Sequence, residues 1–169
     1  MSALPLALEC SECARKVRGL FGVDVREERV RLWLRLLRAT RLIEAEMRER
    51  LKAEFDTTLP RFDVMAALDR QPGGMMMSEL SRFLLVSNGN VTGIVDRLVL
   101  DGLVARTARD GDRRAFIVKL TEAGATQFKA MAAAHERWID ALLADIDPEE
   151  AAHLAGTLRT FQSKWEGGH

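Results

Sequence analysis

SELSRFLLVSNGNVTGIVDRLVLDGLVARTARDGDRRAFIVKLTEAG, residues 78–124, is the stretch from which the fold follows. Ser78 stands where a side-chain oxygen caps a helix, and Leu80 and Leu84 turn one face of that helix inward. Val86-Ser87-Asn88-Gly89 then interrupts it. Asn88 is placed to cap a second helix, on which Val91, Val95 and Leu98 share a face. Gly102 ends that helix, because a residue tolerant of positive φ closes a helix C-terminus. A short helix, a tight turn and a second helix form the arrangement that lets the second helix enter a DNA major groove.

The residues that follow extend the motif. Segments 103–107 and 115–120 read as strands rich in Val, Ile, Leu and Phe. Between them, Arg109-Asp110-Gly111-Asp112-Arg113-Arg114 holds an Asp-Gly turn signal and three arginines. A β-hairpin with a basic tip beside a helix–turn–helix is a winged helix. Its helix reads base edges while the hairpin reaches phosphates or the adjacent minor groove.

In these residues the chain closely resembles the MarR family of bacterial winged helix–turn–helix transcriptional regulators. The matching pieces are VTGIVDRLVLDGLVAR (91–106), the wing motif Asp112-Arg113-Arg114 and LTEAG (120–124). A helix–turn–helix alone is a weak signal, whereas that wing motif with LTEAG after a second helix is a specific combination. The likeness runs over roughly residues 26–166. One position departs from it. Many members carry a basic or larger residue where this chain has Gly93, and glycine in mid-helix costs about 1 kcal/mol relative to alanine.

The implied fold class is mainly α with a small β-wing (α+β). Residues 1–25 form an N-terminal extension, 57–120 the winged helix–turn–helix, and 26–56 with 121–166 a helical dimerisation region. Val30, Trp33, Leu36, Leu37, Ile43, Met47 and Leu51 recur at helical spacing in the first long helix. Phe62, Met65, Ala66 and Leu68 face inward from a short helix over 61–69. Thr121 caps a helix carrying Phe128, Met131, His135, Trp138 and Leu142 to about residue 144. Asp147-Pro148-Glu149-Glu150 starts a last helix with Leu154, Leu158, Phe161 and Trp165 in one stripe. These terminal helices are too long to bury both faces on a small head, so their stripes predict a two-fold homodimer; closing one larger monomeric core is the alternative. Such a dimer sets two reading helices about one DNA turn apart on a pseudo-palindromic site.

Composition bounds the rest. The 169 residues carry zero net charge and are 47% hydrophobic, enough for a core of their own. The charge is unevenly spread. Residues 26–54 hold nine Lys/Arg against six Asp/Glu (+3), 78–120 seven against five (+2), and 121–166 four against eight (−4). A positive reading head with an acidic rear suits a DNA binder that docks one way round, and solvated helical faces also explain it. No run approaches the ~20 apolar residues of a membrane span. MSALPLALEC lacks the basic start of a signal peptide, so the expectation is a cytoplasmic protein with no membrane partner. An enzyme is disfavoured, with no phosphate loop, no metal-ligand cluster, no tyrosine and no Ser or Cys in a recognisable nucleophile setting. No cofactor or metal is expected.

The candidate DNA contacts are Ser87, Asn88, Asn90 and Thr92 at the start of the second helix, and Arg97 further along it. Small polar groups there donate to phosphate, asparagine pairs with adenine and threonine meets a thymine methyl. Capping and solvation explain the same residues, and Arg97 can instead pair with Asp101. In the wing, Asp112 and Arg114 resemble the family's pair in which a carboxylate orients a DNA-contacting arginine. Arg109 and Arg113 are phosphate partners. The resemblance further implies a repressor released by a small effector held between the dimer helices and the reading head. Trp33, Arg38 and Arg41 with His135 and Trp138 are the candidates, since cation beside indole suits an aromatic anion; a place in the core or interface suits them equally. TTLPRFDVMAALDR (57–70) and LLVSNGNVTG (84–93) resemble members controlling aromatic-acid catabolism, some answering to an acyl-CoA thioester. An aromatic acid or its CoA thioester is therefore the implied effector. The alternative is a thiol redox switch at Cys10 and Cys13, because some relatives sense peroxide through a cysteine on the N-terminal side. A fourth reading is a winged helix that binds protein.

Overall fold

The computed structural model describes residues 25–109 and 112–166, with side chains outside 109–115 and 165–166. Cys10 and Cys13 lie outside the described residues. The chain divides into two compact units, residues 1–44 and 45–169.

In the first unit the described residues are helical, as part of α1 (Val25–Phe55). Arg31 donates to Glu28 at 2.6 Å and to Glu27 at 3.4 Å, the i,i+3 and i,i+4 pairs that support an exposed helix. Val30, Trp33 and Leu36, expected inward from their spacing, are exposed, as are Leu32, Leu34 and Leu42. The periodicity marks a true helix, and in this unit these stripe residues are exposed.

The second unit holds the end of α1, then α2 (Leu59–Asp69), β1 (Met75–Met76), α3 (Met77–Phe83) and α4 (Asn88–Leu100). The strands β2 (Val104–Arg109) and β3 (Asp112–Leu120) follow, then α5 (Glu122–Leu142) and α6 (Pro148–Glu166). Met47 and Leu51 of α1 are buried. Pro60 sits in the first turn of α2, where its missing N–H costs nothing. α2 is the central element and turns Phe62, Val64, Met65, Ala67 and Leu68 inward, while Ala66 is only partly buried. It packs on α4, α5 and β3.

Three sequence expectations shift here. Met75 and Met76 form a strand that the sequence reading does not contain. They pair antiparallel with Val118 and Ile117, giving a three-stranded sheet of order β1-β3-β2 where only a hairpin was expected. Secondly, Ser78 is not the cap of α3. The N-cap is Met76, whose N–H donates at 2.8 Å to the Glu79 carboxylate. Thirdly, the break between α3 and α4 spans residues 84–87, so Asn88 and Gly89 are already helical and Ser87 is the N-cap.

The position of that break follows from how α3 ends. Val86 N–H reaches the Ser81 carbonyl at 3.1 Å and Leu85 N–H reaches Arg82 at 3.3 Å, with Leu85 at φ +54°. Leu103 N–H to Leu98 (2.9 Å) and Gly102 N–H to Val99 (3.0 Å) close α4 in the same way, with Gly102 at φ +70°. Both helices thus end in the same left-handed cap. Glycine occupies it once and leucine once, and leucine at that φ costs about 1–2 kcal/mol.

The LTEAG segment ties the end of α4 to α5. Thr121 Oγ1 donates to the Gly102 carbonyl (2.7 Å) and accepts from Gly124 N–H (3.0 Å), while Thr121 N–H donates to Leu103 (3.0 Å). Thr121 therefore caps α5 as its sequence predicts. A Cβ at Gly124 would stand 1.9 Å from the Leu103 carbonyl oxygen, so this crossing admits only glycine. At the far end Asp147 caps α6, accepting from Glu149 N–H (2.7 Å) and Glu150 N–H (3.1 Å).

Two glycine substitutions separate these effects by equilibrium denaturation. Gly124→Ala lowers stability by about 1–3 kcal/mol, the cost of overpacking. Leu85→Gly raises it by about 0.5 kcal/mol, the relief of the left-handed φ less the entropy of a freer unfolded chain.

Candidate nucleic-acid interface

α4 is held by one face and shows the other. Val91, Val95 and Leu98 are fully buried, as their spacing predicts. At about 100° per residue the opposite face centres on Gly89, Gly93 and Leu100, all exposed. Nothing lies within 4 Å of the Cβ positions of Gly89 and Gly93, so the middle of this face is bare backbone beside open space. Asn90 and Arg97 flank it on one side, Thr92 and Asp96 on the other.

Each residue expected from sequence has a definite place. Ser87, Asn88, Asn90, Thr92 and Arg97 are all exposed on or just before α4. Ser87 makes no side-chain cap bond, so its hydroxyl is not consumed by the helix start. Asn88 does not cap, because it is already the first helical residue. Thr92 Oγ1 donates to the Asn88 carbonyl at 2.8 Å, which leaves its methyl and a lone pair. Arg97 does not pair with Asp101. That carboxylate is taken by Arg61 of α2, and Arg97 keeps its guanidinium exposed.

In the wing, β2 and β3 are longer than expected and take in Arg109, Asp112, Arg113 and Arg114. Ala108 pairs with Phe116 but Arg109 pairs with Asp112, so residues 113–115 drop out of the regular ladder. Bulges of this kind re-aim a strand. The side chains of Arg109, Asp112, Arg113 and Arg114 lie outside the described residues.

Sequence reasoning missed two ion pairs that join elements. Arg106 of β2 reaches Asp96 of α4 at 2.6 Å, and Arg61 of α2 binds Asp101 at the end of α4. The Arg61 Nε is buried without a hydrogen-bond partner, while its head meets the carboxylate. Partners 10 and 40 residues apart leave no local pattern to read.

The effector candidates fall in different units. Trp33, Arg38 and Arg41 lie exposed on the first. His135 and Trp138 join an aromatic cluster in the second: His135 stacks on Phe62 (centroids 4.8 Å), which also meets Phe128 (5.6 Å). Trp138 is buried, meets Phe55 edge-on at 6.2 Å, and has the Arg50 guanidinium 6.0 Å from its ring. His135 is part-buried. Burial pushes the His135 imidazole below its ordinary pKa of 6.5, because the charged form loses its water.

That shift has a sign. The unfolded chain binds the His135 proton more readily, so stability falls as pH drops through about 6.5 and is regained above it. Thermal unfolding between pH 7.5 and 5.5 therefore shows a steeper loss for the wild type than for His135→Phe, which removes the titrating group and keeps the stack. Equal slopes would contradict the burial of a neutral imidazole.

The comparisons agree with this geometry. The MarR family model matches residues 55–115, from the end of α1 into the wing. The chain is 33% identical over 104 residues to the transcriptional activatory protein BadR of Rhodopseudomonas palustris, covering 60% of this chain and 59% of that one. It is 31% identical over 119 residues to the HTH-type transcriptional repressor MdtR of Bacillus subtilis, covering 69% and 76%. The crystal structure of a MarR family transcriptional regulator from Silicibacter pomeroyi superposes with a TM-score of 0.71 at 36% identity, over 85% of this chain and 99% of that one. With the winged-helix fold, the matched wing segment and this coverage together, the chain belongs to the MarR family of transcriptional regulators.

Proposed function

We propose that the chain is a sequence-specific DNA-binding regulator that acts as a homodimer on a pseudo-palindromic operator. The observation that carries this reading is the outward face of α4. Asn90, Thr92 and Arg97 stand exposed around Gly89 and Gly93, which bring no side chain to this face, on a helix whose other face is locked in the core. A bare strip lets the helix backbone approach base edges closely, and the flanking amide, hydroxyl and guanidinium are the groups that read adenine, thymine and phosphate.

The homodimer is supported by what each unit leaves uncovered. Val30, Trp33 and Leu42 are exposed in the first unit. In the second, α6 exposes Leu154, Leu158 and Phe161 by 46%, 43% and 59%. Stripes of this size on long helices are what a two-fold interface buries. Repression is the direction favoured, because MdtR, a repressor by name, aligns over more of its length than BadR, an activatory protein by name. An aromatic acid or its CoA thioester is the proposed effector. Arg50 beside Trp138, with His135 one helical turn away, offers a cation and flat rings for such an anion.

The test is enrichment of duplexes from a random-sequence pool, then fluorescence anisotropy on the enriched and a scrambled duplex at two salt concentrations. The enriched site has two half-sites about 10 bp apart, and discrimination survives the higher salt. Arg97→Ala weakens binding to both duplexes alike and lowers the salt slope by about one. Asn90→Ala reduces the discrimination itself, by about 1–3 kcal/mol. Phe161→Asp yields a monomer in sedimentation velocity and loses the two-half-site mode. Binding that is equal on both duplexes and disappears with salt would contradict the proposal.

A further inference from the structure

Two carboxylates sit on α4 and at its C-cap, where a DNA-reading helix gains nothing from negative charge. Both are occupied from neighbouring elements: Asp96 by Arg106 of β2 at 2.6 Å, and Asp101 by Arg61 of α2. Asp96 and Asp101 are five residues apart, which separates them by about 140° around a helix. One therefore ties α4 toward the wing and the other toward the core helix, on opposite flanks of the outward face. The fully buried contacts of Val91, Val95 and Leu98 fix how deep the helix sits, but three apolar side chains on one stripe leave its roll to slide. Two charged ties on opposite sides oppose that roll.

The pairs also differ from ordinary surface ion pairs. Arg61 reaches Asp101 along a side chain whose Nε is buried, and Arg106 leaves from a strand paired residue by residue with β3. Each arginine therefore starts from a fixed base. Occupying Asp101 has a second consequence, since it keeps that carboxylate from capturing Arg97, whose guanidinium stays exposed on the same flank.

We propose that Asp96 and Asp101 are positioning residues, clamped by Arg106 and Arg61, that set the roll of α4 relative to the wing and so determine how sharply the protein discriminates DNA sequences. The inference rests on the DNA-binding reading above, and the experiment separates the two.

The full chain is compared with Asp96→Asn, Arg106→Gln, Asp101→Asn and the exchanged pair Asp96→Arg with Arg106→Asp. One readout is the affinity ratio between the duplex enriched by the wild type and a scrambled duplex. The other is amide hydrogen exchange over residues 88–101 without DNA. The single variants reduce the ratio about fivefold and speed exchange over 88–101, with melting temperatures within about 3 °C of wild type. The exchanged pair recovers at least half of the lost ratio. A plain charge effect would instead raise binding of Asp96→Asn and Asp101→Asn to both duplexes by one factor, leaving the ratio unchanged. That result, or an exchanged pair no better than Asp96→Asn and Arg106→Gln, overturns the inference. Should the wild type not discriminate the two duplexes, the DNA-binding reading fails. The exchange arm then decides alone: unchanged exchange in all single variants refutes the clamp.

Discussion

Complete removal of Val91, Val95 and Leu98 from water is the constraint on which the rest of this structure depends. Burying each such side chain stabilises by about 1.5–3 kcal/mol, so three on one helix compare with the ~5–15 kcal/mol net stability of a whole domain. A recognition helix is an awkward object, because its working face must stay bare and polar. α4 meets that demand by concentrating its attachment on one stripe and leaving Gly89 and Gly93 at the centre of the other. Its end is then fastened at a crossing so close that Gly124 has no room for a side chain. Thr121 bonds there to both Gly102 and Leu103, so the end of α4, the root of the wing and the start of α5 share one hydrogen-bonded junction.

Electrostatic contacts act on a smaller scale. Partly exposed ion pairs are worth about 0.2–1 kcal/mol, too little to hold the domain together. Discrimination between base pairs, at about 1–3 kcal/mol each, is of the same order. The apolar stripe therefore keeps α4 in place, and pairs such as Arg106–Asp96 have the right magnitude to tune what it reads. The charge distribution is consistent with this, since the segment 78–120 is positive by two charges while 121–166 is negative by four in a protein of zero net charge.

Much of this was legible along the chain because it depends on near neighbours. Helical periodicity found the buried stripe of α4, the Thr121 cap and the Asp147 cap, each set by residues within four positions. Gly102 was readable as a helix stop because only its φ had to be inferred. Where a residue breaks its own propensity, the reading slipped. Leu85 occupies a left-handed cap that glycine or asparagine usually fills, so the interruption was read at 86–89, two residues later than the break at 84–87. β1 was missed because two methionines carry no alternation and become a strand only by meeting Val118 and Ile117, over forty residues away. The same distance hid Arg61–Asp101. Residue type also left the setting of the effector candidates open, since the ring contacts of Trp138 with Phe55 and of His135 with Phe62 join residues more than seventy positions apart.

The central claim is that α4 enters the major groove, twice per complex. Dimethyl sulfate protection tests it directly, because guanine N7 lies in that groove. On a duplex enriched by the protein, the account predicts two patches of N7 protection about one helical turn apart on the same face of the DNA. Protection in a single patch, or N7 groups left as reactive as in free DNA while the protein is bound, would contradict it.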